Sequence, residues 1–185
     1  TCMGLALDYA NTKYSKGYTA TGVSMCSCGH HELVMPNGVG DLQKGEHYAN
    51  MDYIFASALH HVPYLLFLLL SYGIMCQWSC RLLEQLRSLP PLIHLTVVCQ
   101  IIAFIIPKLN ILGHTVKCQN SYNLLYTLGA AMADMESIEC VWSGSGVMGQ
   151  VHGKWGLEAA KIPSRTTGIT GLGRRLLVSV HYFLI

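Results

Sequence analysis

Between His61 and Cys80 the chain carries no formally charged side chain, and what that stretch becomes decides the class of the molecule. Its centre, Tyr64–Trp78, is the longest apolar run in the sequence. A helix crossing a bilayer needs about 20 such residues, so the run sits at the membrane threshold. The alternative is a strand over Leu65–Leu70 buried on both faces, the near-continuous apolar pattern of an inner parallel strand. Pro63 suits the start of such a strand. Ser71-Tyr-Gly73 then ends it, and Met75–Leu86 opens a helix.

Charged residues make up 12% of the chain and apolar ones 51%, rich for a soluble protein and poor for one with several membrane spans. The formal net charge is only +2, so no strong basic field marks a free-standing DNA-binding module. A chain of 185 residues amounts to one domain with a sizeable core. The start at Thr1 reads as that of a fragment, without the basic-apolar-small pattern of a secretory leader. Eight cysteines scatter without the framework of a small disulfide scaffold, which predicts reduced thiols in an intracellular setting.

In chain order, Met3-Gly-Leu-Ala-Leu-Asp8 is a short apolar strand ending in a carboxylate. Tyr18–Met25 alternates as a second strand, and His31–Pro36 reads as a third. Asn37-Gly-Val-Gly40 reads as a loop. Apolar and aromatic residues at Tyr48, Met51, Ile54, Phe55 and Leu59 predict an amphipathic helix over Glu46–His61. After the Leu-rich strand and its helix, Pro90-Pro91 breaks the chain. Leu92–Ile106 is too short to span a bilayer comfortably and predicts a buried helix. Leu109–Val116 reads as a strand, and Ala130–Trp142 as a helix carrying Asp134, Glu136 and Glu139. The resulting α/β order, βββαβαβα with a helical insert, is that of a ribonuclease-H-like core, here incomplete.

Few residues carry obvious chemistry. A strand-end Asp such as Asp8 is by default an ordinary turn residue; it becomes a Mg²⁺ ligand when other carboxylates converge on it. Glu136 and Glu139, three apart on one helix face, are by default a solvated acidic face. Cys28-Gly-His-His31 and His114-Thr-Val-Lys-Cys118 have ligand-like spacings. Together Cys28, His31, His114 and Cys118 would give a structural Zn²⁺ the four N/S ligands it takes. Cys76 and Cys80, one turn apart, read as buried small hydrophobes. The sequence holds no phosphate loop, nucleophile elbow or H-E-x-x-H motif.

Several of these stretches, taken in order, resemble the Kyakuja–Dileera–Zisupton transposases of basidiomycete fungi. The resemblance is carried by Leu7-Asp-Tyr-Ala-Asn-Thr-Lys13, Cys28–Glu32, Asn37-Gly-Val-Gly-Asp-Leu-Gln-Lys-Gly-Glu46, Tyr48-Ala-Asn-Met-Asp-Tyr53 and Tyr72-Gly-Ile-Met-Cys-Gln-Trp78. Ile106-Pro-Lys-Leu109, His114–Gln119 and Ala133-Asp-Met-Glu-Ser-Ile-Glu-Cys-Val-Trp142 continue it, so that it covers residues 4–150. It implies a ribonuclease-H-like core with a D-D-E site holding two Mg²⁺ or Mn²⁺ ions for DNA cleavage and strand transfer. Asp8 matches the first acidic position. Glu136 matches the third, with Glu139 its rival.

The second position departs from the family. Where it resembles Tyr-Asp-Ile-x-Cys-Gln-Trp, this chain has Gly73 in place of the Asp, which predicts a catalytically dead copy. Asn110 likewise stands where the family tends to have His. The Leu-rich run leads straight into the second position, so the resemblance favours the buried strand over the membrane helix. DNA (transposon ends and target) is the implied partner, with homo-oligomer formation and nuclear residence as further expectations. Two other readings stand beside it: a domesticated, non-catalytic DNA- or protein-binding module, and a small membrane protein built on the two apolar stretches.

Beyond Gln150 the resemblance ends. The family usually continues Ser-Thr-Arg-Glu-Met-Gly-Pro-Gly-Ser-Arg-Gln-Asp-Thr, and codons for that peptide read one base later yield Val151-His-Gly-Lys-Trp-Gly-Leu-Glu-Ala-Ala-Lys-Ile-Pro163. Residues 1–150 are therefore expected to be the transposase core, and 151–185 an unrelated tail, frameshifted or mis-joined and disordered.

Overall fold

The computed structural model describes residues 20–31, 33–43, 47–62, 67–93, 101–130, 135–136 and 175–184. Within them the chain builds a five-stranded mixed sheet with helices: β1 (Gly22–Cys28), β2 (Val34–Leu42), α1 (Tyr48–Leu59), β3 (Phe67–Tyr72), α2 (Met75–Trp78), α3 (Leu82–Ser88), β4 (Ile101–Ile105), α4 (Val116–Ser121) and β5 (Arg175–Leu184). Two 3-10 turns, Asn110–Gly113 and Leu124–Tyr126, flank α4. The strand order is β2-β1-β5-β3-β4. β1 is antiparallel to both β2 and β5, whereas β3 is parallel to both β5 and β4.

The uncharged run resolves as a strand. Phe67–Leu70 continue through Ser71 to Tyr72, and Leu68 to Tyr72 are buried. With neighbours on both edges and cores on both faces, the strand has no polar side and needs none. Leu68, Leu70 and Tyr72 enter one core with Val178 and Val180 of β5 and with Met51, Ile54, Phe55, Ala58 and Leu59 of α1. Leu69 enters the other, with Ile105, Leu124, Ala130 and Met135. Among the described residues no helix is long and apolar enough to cross a membrane, which disfavours the membrane-protein reading.

Helix α1 lies where its spacing predicted. Four other assignments change. Of the helix expected over Ala130–Trp142, the described residues Ala130, Met135 and Glu136 are not helical, and Met135 takes φ 62°, which an α-helix does not allow. Asn37–Gly40 is not a loop but part of β2, at a register shift opposite Met25–Ser27. Asn37 takes φ 53° there, the left-handed conformation Asn tolerates and a bulge requires. A Cβ on Gly38 would lie 2.8 Å from the Met35 carbonyl oxygen and 3.0 Å from that of Cys26, so the bulge closes only around glycine. Of the helix expected over Leu92–Ile106, residues 101–105 are strand β4 and residues 94–100 lie outside the described residues. A short apolar run rich in Ile does not by itself distinguish strand from helix. The strand expected over Leu109–Val116 is instead a 3-10 turn, Asn110–Gly113, leading into α4, with the Ile111 N–H bonded to the Pro107 carbonyl and the His114 N–H to that of Ile111.

The tail holds the largest departure. The disorder expected beyond Gln150 does not extend to Arg175–Leu184, which form the central strand β5 and bury Val178, Ser179 and Val180. Met3–Asp8, expected as the first strand, lies outside the described residues.

Candidate functional site

The parallel strands β5, β3 and β4 end on one edge of the sheet, and the chain leaving β3 meets the chain leaving β4 there. In open α/β sheets this edge, outside the carboxyl ends of the strands, is where ligands bind. After β3 come Gly73, Ile74 and the single turn α2. Its Trp78 stacks edge-on with Tyr72 and Phe55, at centroid distances of 5.2 and 5.6 Å. The Trp78 indole N–H also donates to Asp52 Oδ1 of α1 at 2.7 Å. Burial of Asp52 raises its pKa to about 6, partly offset by that hydrogen bond. The Tyr72–Trp78 motif is thereby anchored to the core at both ends.

After β4, Ile106 donates its N–H to the Tyr122 carbonyl. Pro107 to Gly113 then turn back toward β3. His114 is buried and bridges the two segments: Nε2 lies 2.9 Å from the Gly73 carbonyl oxygen and Nδ1 lies 3.5 Å from Cys76 Sγ. A carbonyl oxygen only accepts, so Nε2 carries the proton and donates it. In the neutral ring Nδ1 is then a lone pair aimed at the thiol. Gln119 holds the backbone beneath by donating to the His114 carbonyl at 2.8 Å. Cys118, one turn into α4, completes a group in which the ligand atoms of Cys76, His114 and Cys118 all lie within 4.8 Å of one another.

The expected zinc set is divided accordingly. His114 and Cys118 lie together, with Cys76 as the third member. Cys28 and His31 pair with each other, Sγ to Nδ1 at 3.3 Å, in the turn between β1 and β2. The register explains the separation: Leu70 aligns with Val178 and Val178 with Cys28, while Tyr72 aligns with Val180 and Val180 with Cys26. β1 therefore runs toward the start of β3, and its turn leaves the sheet at the opposite end from Gly73. Cys76, read from sequence as a small hydrophobe, is half-buried. Its place one helical step beyond the end of an inner strand was the available signal.

Of the acidic positions, Asp8 and Glu139 lie outside the described residues. Glu136 is placed: its Oε1 accepts from the Leu109 backbone N–H at 2.7 Å. The next residue, Asn110, lies against Gly73, where a Cβ would come 2.7 Å from Asn110 Nδ2. Gly73, expected at the second acidic position, and Glu136, expected at the third, thus lie against the same dipeptide, Leu109-Asn110. Gly73 and Asn110, the two residues expected to depart from the family motif, are neighbours.

A mixed α/β sheet with a Cys/His/Cys cluster and a candidate acidic position at its parallel edge describes a class with many activities. The family narrows it. The family model described as Kyakuja-Dileera-Zisupton transposase matches residues 2–153, and the chain belongs to that family. No curated protein and no solved structure matches the chain.

Proposed function

We propose that the chain derives from a DNA transposase whose ancestral reaction is metal-dependent DNA cleavage and strand transfer, and that this copy has lost that reaction at position 73. The reading takes the fold as ribonuclease-H-like and the site as D-D-E, with Asp8, position 73 and Glu136 (Glu139 its rival) as the carboxylate positions. The observation that supports it is that Gly73 abuts the Asn110 side chain while Glu136 accepts from the neighbouring Leu109 N–H, so that two positions far apart in sequence share one dipeptide as neighbour. When bound between three carboxylates, a pair of Mg²⁺ or Mn²⁺ ions activates the attacking oxygen and stabilises the leaving one. The side chains described here do not make such a site: glycine offers no donor, and one Glu136 oxygen already accepts a backbone N–H. A structural Zn²⁺ is the other metal of this reading, with His114 and Cys118 the members of the expected set that lie together. DNA is the partner the family implies.

Calorimetry with Mn²⁺ on the chain, on Gly73→Asp and on Gly73→Asp combined with Asn110→Ala tests this. Asn110 crowds the new side chain, so the double variant is expected to bind Mn²⁺ most tightly and the parent not at all. Equal binding by all three would show that position 73 is not a ligand position. We further take residues 151–185 to come from a shifted reading frame. Genomic sequence lacking the family's peptide in the adjacent frame would overturn that.

A further inference from the structure

Cys76 comes from α2, after β3, whereas His114 caps the 3-10 turn after β4 and Cys118 lies four residues on, in α4. The meeting of Cys76 with the local pair His114 and Cys118 is therefore a product of the fold. We propose that Cys76 Sγ, His114 Nδ1 and Cys118 Sγ bind one soft divalent cation of the zinc class, and that the bound ion clamps the end of β3 through His114. The proposal rests on the reading that His114 and Cys118 take Zn²⁺. It adds the third ligand, the coordinating nitrogen and the consequence.

Two thiols and one imidazole select a thiophilic ion over Mg²⁺ or Ca²⁺, which take oxygen ligands. His114 is already oriented as a ligand: Nε2 lies 2.9 Å from the Gly73 carbonyl oxygen, and Nδ1 faces the sulfur of Cys76. A backbone carbonyl on the far nitrogen is the usual second partner of a metal-bound imidazole, fixing its tautomer and ring plane. Sulfur and nitrogen donors around one tetrahedral ion stand about 3.3–3.8 Å apart, given bonds of about 2.0–2.3 Å. A group within 4.8 Å needs only small side-chain adjustments to reach that. Three protein ligands leave the fourth position to water or an added ligand. Binding displaces the two thiol protons, and the ion then ties α2 and α4 to the ring that holds the carbonyl of Gly73.

Co²⁺ in place of Zn²⁺ gives sulfur-to-metal charge-transfer absorption that reports each thiolate, and circular dichroism checks that every variant is folded. The chain is expected to bind one Co²⁺, displaced by Zn²⁺. Cys76→Ser and Cys118→Ser should each lose about half of the charge-transfer intensity, one of two thiolates being gone, and weaken binding by roughly 10-fold or more. Cys28→Ser should leave both unchanged. Zn²⁺ should slow amide exchange across residues 72–78 in the parent but not in His114→Ala. Co²⁺ binding that depends on Cys28 and not on Cys76 would overturn the ligand set while leaving the zinc reading intact. No Co²⁺ binding by the folded parent would overturn both. Metal binding without slower exchange would overturn the clamp.

Discussion

Strands β3 and β5 lie side by side and parallel, in register from Phe67 opposite Arg175 to Tyr72 opposite Val180. β3 lies inside the stretch matched by the transposase family, which ends at residue 153, and β5 lies beyond it. Yet the sheet treats them alike. Each has a neighbour on both edges, and Leu70, Tyr72, Val178 and Val180 share one core. Membership of an inner sheet position is decided by what the position demands, an apolar extended segment without Pro, and not by which part of a chain supplies it. A peptide of any origin that reads Leu-Leu-Val-Ser-Val meets that demand.

The largest test of this equivalence is to end the chain at Arg174, the residue before β5. Among the described strands, β5 joins the antiparallel pair β1–β2 to the parallel pair β3–β4. Without it each pair has a long unpaired inner edge and an uncovered apolar face. The expected outcome is loss of the cooperative thermal transition and strong binding of an apolar dye. An unchanged transition would mean that the slot is filled by another segment, for which Met3–Asp8, the remaining apolar strand in the sequence, is the first candidate.

What was legible follows from the same demand. The β3 run was readable because a proline before it and a glycine after it delimit it, and α1 because its apolar residues recur at helical spacing. β4 was not: Ile101–Ile105 sits inside a longer apolar stretch whose periodicity fits either element, and only pairing with β3 settles it. β5 carries an equally plain strand signal. The expectation of a shifted reading frame, which concerns the origin of the peptide and not its chemistry, hides that signal. At the candidate site, His114 and Cys118 stood out by their spacing. Cys76 did not, because it lies 38 residues before His114 and its only mark is its place just past the end of an inner strand. Gly73 and Asn110 were visible only as departures; that they touch belongs to the tertiary structure.

A second difference between the strands is what holds their ends. Past β3 the chain is pinned by Asp52 and Trp78, a polar pair inside an apolar core. The Asp52 pKa is raised from its ordinary 3.8 to about 6 by burial. The folded protein therefore holds a proton that the unfolded chain releases between about pH 4 and 6, and stability falls as pH rises through that window. Asp52→Asn keeps an acceptor for the indole and removes the titration. Its unfolding free energy should be flatter across that window. Above pH 6 it should exceed that of the parent by at most roughly 3 kcal/mol, the free energy of a shift of about 2 pH units. A parent whose stability climbs between pH 4 and 6 would contradict the burial assigned to Asp52.

The smallest effect probes the seam itself. Ser71 of β3 aligns with Ser179 of β5, which aligns in turn with Ser27 of β1, so three buried serines stand in a row across the sheet. The hydroxyls of Ser27 and Ser71 are buried and have no hydrogen-bond partner among the described residues. A buried hydroxyl without a partner has lost its water and gained nothing in return, at a cost of about 1–3 kcal/mol. Ser71→Ala removes the oxygen and leaves a space smaller than a methylene, so urea denaturation should show a gain of roughly 1 kcal/mol. Ser27→Ala should give a similar gain, and the two should add, because the residues are separated by a whole strand. Loss of stability in Ser71→Ala or Ser27→Ala would show instead that the hydroxyl is hydrogen-bonded in solution. The seam would then carry a satisfied polar contact at Ser71 and Ser179, and the equivalence of β3 and β5 would rest on their apolar rows alone.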